Sequence, residues 1–232
     1  MDRQLVLGLL LVGLPIAFNV LFAALAATFE YPDILRHEPA EILTRFTDGG
    51  TRLVLLWWGF MLTALALIPV SALLAAQLAP AGPTLLLLGL VLGAAAGLVQ
   101  AIGLARWPFL VPTLARSYAE ATTDAQRTAV IVVFEAANRF MGVAIGEHLG
   151  YLLTGAWTSV VGLALVSSPD APDLLGWLGV GLGVALAFGS LEFVGRSGPR
   201  GWSIAERVVP IAYIGWSLWL LALGVVLLLD IH

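Results

Sequence analysis

The sequence predicts an all-α, polytopic membrane protein. The expected architecture is a six-transmembrane-helix bundle built as three hairpins, with short amphipathic helices in the first and third loops. Three observations predict it. The chain has 232 residues, of which 60% are apolar and 11% charged, and its mean hydropathy is +0.97; a soluble domain carries about 25% charged residues. Six segments each hold the roughly 18 or more largely apolar residues that mark a span. Arginine, the only basic residue besides histidine, falls almost wholly in alternate connections. The chain therefore reads as one transmembrane domain, 1–232.

The first span is Leu5–Phe29, with Pro15 as a kink point. Ala24-Leu25-Ala26 looks like a cleavage site. However, Asp2 sits beside Arg3, and the apolar run exceeds the roughly 7–15 residues of a signal core, so the segment reads as an uncleaved span. In the first loop, "PAEILTRF" puts Ile42, Leu43 and Phe46 on one helical face and pairs Glu41 with Arg45 on the other. Pro39 suits a first helical position and Gly49-Gly50 a stop. A short amphipathic helix lying at the membrane interface is expected there.

The second span is Leu53–Leu78, where Trp57 and Trp58 suit an interfacial aromatic belt. The third is Pro83–Ala105, followed by a second amphipathic helix around Pro112–Ala121. Thr123 with Gln126 forms a capping box, so the fourth helix starts near Asp124. It runs 43 residues to Val166, about 65 Å if straight. The hydrocarbon needs only about 30 Å. The span proper is thus about 142–166, and Glu135, Asn138 and Arg139 stand beyond it on the loop side. A break at "GVAIG" is the alternative. The fifth span is Leu174–Val194 and the sixth Val208–Leu229. Tyr31-Pro32 and Trp107-Pro108 form a faint internal echo at the ends of spans one and three.

Ten of the eleven Arg lie in or beside loops 1, 3 and 5. The positive-inside rule then puts those loops in the cytoplasm of an inner-membrane protein and both termini outside. At the loop-side boundary Glu30, Arg52, Arg106, Glu147, His148, Glu192 and Arg207 should share one layer. Asn19 is the deepest polar residue and Gln100 lies shallower; such residues usually bridge helices.

The fourth helix has two faces. Glu135, Arg139, Gly142, Gly146 and Gly150 share the first, which reads as a close-packing seam topped by a structural ion pair between Glu135 and Arg139. The seam can serve the bundle itself or a homo-oligomer. Glu147, Tyr151 and Thr154 share the second, with His148 beside them. Together with Arg106 and Glu192 these make the candidate polar site. A carboxylate, an imidazole and a phenol in one turn can do acid–base chemistry. The plainer alternative pairs Glu147 with Arg106 or Arg52 and bonds His148 to a backbone carbonyl.

There are no cysteines, so disulfides and thiol chemistry are excluded. Of three histidines, His37 is in a loop and His232 is terminal, which leaves no buried pair for haem. No hydrolase, zincin or nucleotide-binding motif occurs. No cofactor, metal or nucleic-acid partner is expected; the lipid bilayer is.

"FEYPDILRHEPAEIL", "RWPFLVP" with "LARSYA", and "FEAANRFMGVAIGEHLGYLLTGAWT" resemble a bacterial integral membrane family known as domain of unknown function 4386. The most specific part is Asn138-Arg139, Gly142 and Gly146-Glu147. The resemblance covers most of the chain. It implies a multi-span helical membrane protein and supplies no catalytic residues. Two functions stay open. One is a non-enzymatic component that binds a ligand or partner: a small transporter, sensor or subunit. The other is an intramembrane enzyme acting on a lipid or quinone through Glu147 and His148, with Arg106 or Arg139 holding an anionic head group.

Overall fold

The structure is a computed structural model that describes residues 3–169, 171–194 and 202–230. The fifth connection with Arg196 and Arg200, Asp2, and His232 lie outside the described residues. All regular structure among the described residues is helical. Six helices are long and apolar enough to cross a membrane. They are α1 (Arg3–Phe29), α2 (Pro39–Gln77), α3 (Pro83–Glu120), α4 (Asp124–Val166), α5 (Asp173–Gly189) and α6 (Ser203–Leu229). A 3-10 turn, Ser190–Phe193, continues α5.

Each helix packs against the next, and α6 returns to α1, so the six close into a ring. Two cores fill it. The first draws on all six helices, among them Leu11, Leu67, Ala96, Trp157, Leu186 and Leu220. The second lies toward loops 1 and 3 and is aromatic: Phe29, Phe46, Trp57, Phe60, Trp107 and Phe134. Its centre is a face-to-face pair, Trp57 on Trp107, with centroids 4.5 Å apart and planes at 10°. Such ring pairs add about 0.5–1.5 kcal/mol beyond the area they bury.

The second core corrects two expectations. The face Ile42, Leu43 and Phe46 does exist, and each of these side chains is at most 2% exposed. It is covered by protein, however, not by lipid: Phe46 meets the edge of Phe29 and stacks on Trp107. The segment has α1, α3 and α4 within reach, and a dry protein core satisfies its apolar stripe as well as acyl chains would. Trp57 likewise is fully buried rather than part of an interfacial belt, while Trp58 is 45% exposed.

The connections are also more helical than expected. The amphipathic segment runs into span two through a single non-helical residue, Gly50, whose φ is 52° and ψ −151°. Only glycine takes that conformation without strain. The α-helix of span three ends at Ala105 as expected, but the helical path does not stop there. It passes through a π-helical turn, Arg106–Leu110, and continues to Glu120. Pro108 has no N–H to offer Leu104, and a wider turn absorbs the missing bond. Trp107-Pro108 thus stays inside a helix, whereas Tyr31-Pro32, a cis peptide, lies outside one. The fourth helix is continuous over its 43 residues. It opens with the expected box: the Thr123 side chain accepts from the Gln126 N–H, and the Gln126 side chain accepts from the Thr123 N–H.

Surface ion pairs fasten loop 1. Arg45 bridges Glu30 at 2.8 Å and Glu41 at 2.9 Å. His37 adds a contact of 3.0 Å to Glu41. Together they hold the Glu41 carboxyl below the usual carboxylate range, the His37 hydrogen bond contributing most. Arg36 reaches Glu206 at the start of α6.

Candidate functional site

Two π-helical segments face each other across the α3–α4 contact: Arg106–Leu110 in α3 and Asn138–Leu149 in α4. They carry most of the charged residues of the expected site. In α4 the π segment begins at Asn138, between Glu135 and Arg139. A π turn advances each residue by a smaller angle than an α turn, so the i,i+4 stacking that would pair these two is lost across the junction. Both are exposed, and the ion pairs among the described residues do not include one between them. The expected structural ion pair is therefore absent.

The glycine seam does form, and its occupant is α3 of the same chain. A methyl group on Gly103 would fall on the Cα of Gly146, so the two backbones touch. Gly150 faces Gln100, with an added Cβ 2.8 Å from Gln100 Cγ. Gly142 makes room for Arg106, where an added Cβ would stand 2.6 Å from the guanidinium carbon. Arg106 is only 6% exposed. Its Nε donates to Asn138 Oδ1 at 3.1 Å and its Nη1 to the Gly103 carbonyl. It lies 5.2 Å from the Trp107 ring centroid, within cation–π range. Asn138, expected beyond the lipid span on the loop side, helps hold this buried cation.

Glu147, on the π segment of α4, is half-buried. Its charge acts on Arg106, Tyr31, Tyr151 and Tyr213. Tyr213 also feels Tyr31, and Tyr151 feels both, together with Glu192. Three phenol groups, from the chain after α1, from α4 and from α6, thus converge with Glu147. The rings confirm the arrangement: Tyr151 and Tyr213 lie 5.3 Å apart, and Tyr213 lies 6.3 Å from Phe18, which in turn lies 6.4 Å from Phe22. Phe22 is 5.5 Å from Tyr31. All of these residues, with Glu147, His148 and Glu192, are half-buried.

His148 places Nδ1 2.9 Å from the Ser190 carbonyl oxygen, tying α4 to the end of α5. This is the plainer of the two roles foreseen for it. Thr154, fully buried, accepts a hydrogen bond from Gln100 Nε2 at 2.9 Å. Asn19 bridges α1 to Ser217 of α6 at 3.1 Å. The remaining members of the expected layer do not enter: Glu30, Arg52 and Arg207 are exposed. Among the described residues no group of three or more His, Asp and Glu is placed to hold a metal ion.

Sequence reasoning missed Tyr31 and Tyr213 as site residues. Tyr31 lay just past a span, and Tyr213 was one aromatic among many in an apolar helix. Helical periodicity places side chains along one element, but which elements face each other follows from ring closure.

Six helices long and apolar enough to span, closed into a ring, define a polytopic α-helical membrane protein. A family described as a domain of unknown function (DUF4386) matches residues 6–224, and the chain belongs to that family. No curated protein and no solved structure matches it.

Proposed function

We propose that this protein is a non-enzymatic membrane component that binds a ligand in the loop-side half of its helix ring. The observation that carries this reading is the half-buried Glu147 on α4, whose charge reaches the phenols of Tyr31, Tyr151 and Tyr213, with the Tyr151 and Tyr213 rings 5.3 Å apart. Ionisable groups inside a membrane protein are costly and mark ligand or ion sites more often than chance. The enzymatic alternative required an arginine to grip an anionic head group. Arg106 is closed in by Gly142 and Asn138, and Arg139 is exposed beyond the span, so neither supports that role.

Mass spectrometry of protein purified in a mild detergent tests the reading. A small molecule should co-purify with the wild type and be lost from Glu147→Gln and Tyr213→Leu, while a folded Glu135→Gln control retains it. Equal recovery from all four proteins would sink the site. The same reading places loops 1, 3 and 5 in the cytoplasm. Ser168→Cys should then be labelled by an impermeant thiol reagent from outside the cell; labelling only after lysis would reverse the orientation.

A further inference from the structure

We propose that a cavity between α2, α3 and α4 is the site of one internal water molecule, which bridges the indole N–H of Trp157 to the hydroxyl of Ser71. The site is separate from the loop-side cluster and independent of the ligand-binding reading. Ser71 of α2, Gly89 of α3, and Trp157 and Val160 of α4 line the cavity, with Leu78 and Leu85 toward loop 2. Glycine opens it: a methyl group on Gly89 would meet nothing closer than Val160 Cγ1 at 3.9 Å. The space open to the centre of a water molecule is about 10 Å³. That is room for about one water and too little for an acyl chain.

Size alone does not select water, because purely apolar cavities stay dry. The polar groups select it. Trp157 is fully buried, and its Nε1 has no hydrogen-bond partner. A buried N–H without an acceptor carries its full desolvation cost. Ser71 is 1% exposed and donates its proton to the Leu67 carbonyl at 2.7 Å, so its oxygen keeps lone pairs that can accept. Gly93 locates the two groups. A Cβ on it would fall on Ser71 Oγ and stand 2.6 Å from Trp157 Cδ1, the ring atom bonded to Nε1. The N–H edge of the indole therefore lies beside the hydroxyl, yet the two make no direct bond. A water that accepts from Trp157 and donates to Ser71 satisfies the indole and has the two protein partners that an internal water requires. It also ties α4 to α2 across the thin edge of α3. Trp57 and Trp107 make the contrast. Their Nε1 atoms are equally buried and unpartnered, but the two rings stack on each other in an aromatic core. Phe29 and Tyr31 stand at 87° and 80° to Trp57, and such ring faces are weak acceptors for an N–H.

The test is nuclear magnetic resonance of the full-length protein in dodecyl maltoside, deuterated at carbon and isotope-labelled at the tryptophan indole nitrogens. The chain has eight tryptophans, and Trp157→Phe identifies the signal of Trp157 by its loss. A nuclear Overhauser contact with water is expected at the Trp157 N–H and not at those of Trp57 and Trp107. No contact at Trp157, or equal contacts at all three, would overturn the inference. Gly89→Val sends a side chain into the cavity and should abolish the contact while the Ser71 hydroxyl stays in place. A contact that survives in this variant would come from the exchanging Ser71 proton and would overturn the inference too. Unshifted signals from the remaining indoles report that the variant is folded. If it is not, Gly89→Ala, whose single methyl finds open space, should weaken the same contact, and an undiminished contact there would count against the water.

Discussion

The two halves of the ring solve different problems. Away from loops 1 and 3 the interior is apolar, and its hydroxyls are satisfied close to home, while the buried Trp157 Nε1 has no hydrogen-bond partner. Ser71 donates to the Leu67 carbonyl at 2.7 Å, Thr158 to the Thr154 carbonyl at 2.7 Å, and Trp216 Nε1 to Thr158 at 3.0 Å. Helices α4 and α5 meet there backbone to backbone, a methyl on Gly155 falling on the Gly183 carbonyl. The loop-side half instead holds a buried guanidinium, two π-helical segments and the half-open tyrosine cluster. Both halves are sensitive to volume where glycines bring backbones together, and the loop-side half is sensitive to charge as well. Packing alone can stabilise a bundle in lipid, so the charged half carries a cost that stability does not require.

The comparison can be broken by substitutions ranked by expected effect. Gly103→Val drives a side chain into the α4 backbone. Overpacking typically costs 1–3 kcal/mol and more where the backbone itself is struck, so a loss of at least about 3 kcal/mol is expected. Gly13→Val, where an added Cβ meets nothing within 4 Å, serves as its neutral partner. Unfolding in mixed micelles measures both, and equal stability of the two would refute the seam. Next, Arg106→Met should cost about 3–5 kcal/mol by removing the buried guanidinium, its bonds to Asn138 and the Gly103 carbonyl, and a positive charge within reach of Glu147. Adding Glu147→Gln should restore most of that. Failure of the double variant to recover would show that Arg106 acts through Asn138 and Gly142 alone.

Smaller effects sharpen the picture. Thr154→Val removes the acceptor of the Gln100 bond, and should cost about 1 kcal/mol. Asn19→Leu removes one bridge to Ser217, for about 0.6 kcal/mol. The smallest effect is pH-dependent and outside the span. His37 and Arg45 depress the Glu41 carboxyl in the folded state. Its contribution is therefore complete above the ordinary carboxylate value of about 4.3 and is lost as pH falls through the depressed folded value. Backbone amide exchange across residues 39–49 should quicken over that acid range in the wild type, and Glu41→Gln should remove the pH dependence. An unchanged profile in the variant would detach Glu41 from the clasp.

Much of the bundle was legible. Apolar runs located six spans because lipid forces each crossing to satisfy its own backbone within a helix. Thr123 and Gln126 fixed the start of α4, and Pro39 that of the loop-1 helix, because caps depend on neighbours in the chain. The i,i+4 rule placed Glu41 with Arg45 and failed for Glu135 with Arg139, because the second pair straddles a π junction that α periodicity does not anticipate. The close approach of α4 to another helix was readable from Gly142, Gly146 and Gly150, but its partner was not.

Hydropathy and local capping, properties of contiguous residues, determined the class of protein, the number of crossings and the level of Glu147, His148 and Arg106 along their helices. The tertiary structure decided what those residues face. Closure of the ring buried Arg106 against Gly142 and set Glu147 among Tyr31, Tyr151 and Tyr213. It also turned the loop-1 helix from lipid toward an aromatic core. Each of these depends on contacts between segments far apart in the chain, and the energy of such a contact is fixed only when both surfaces are present.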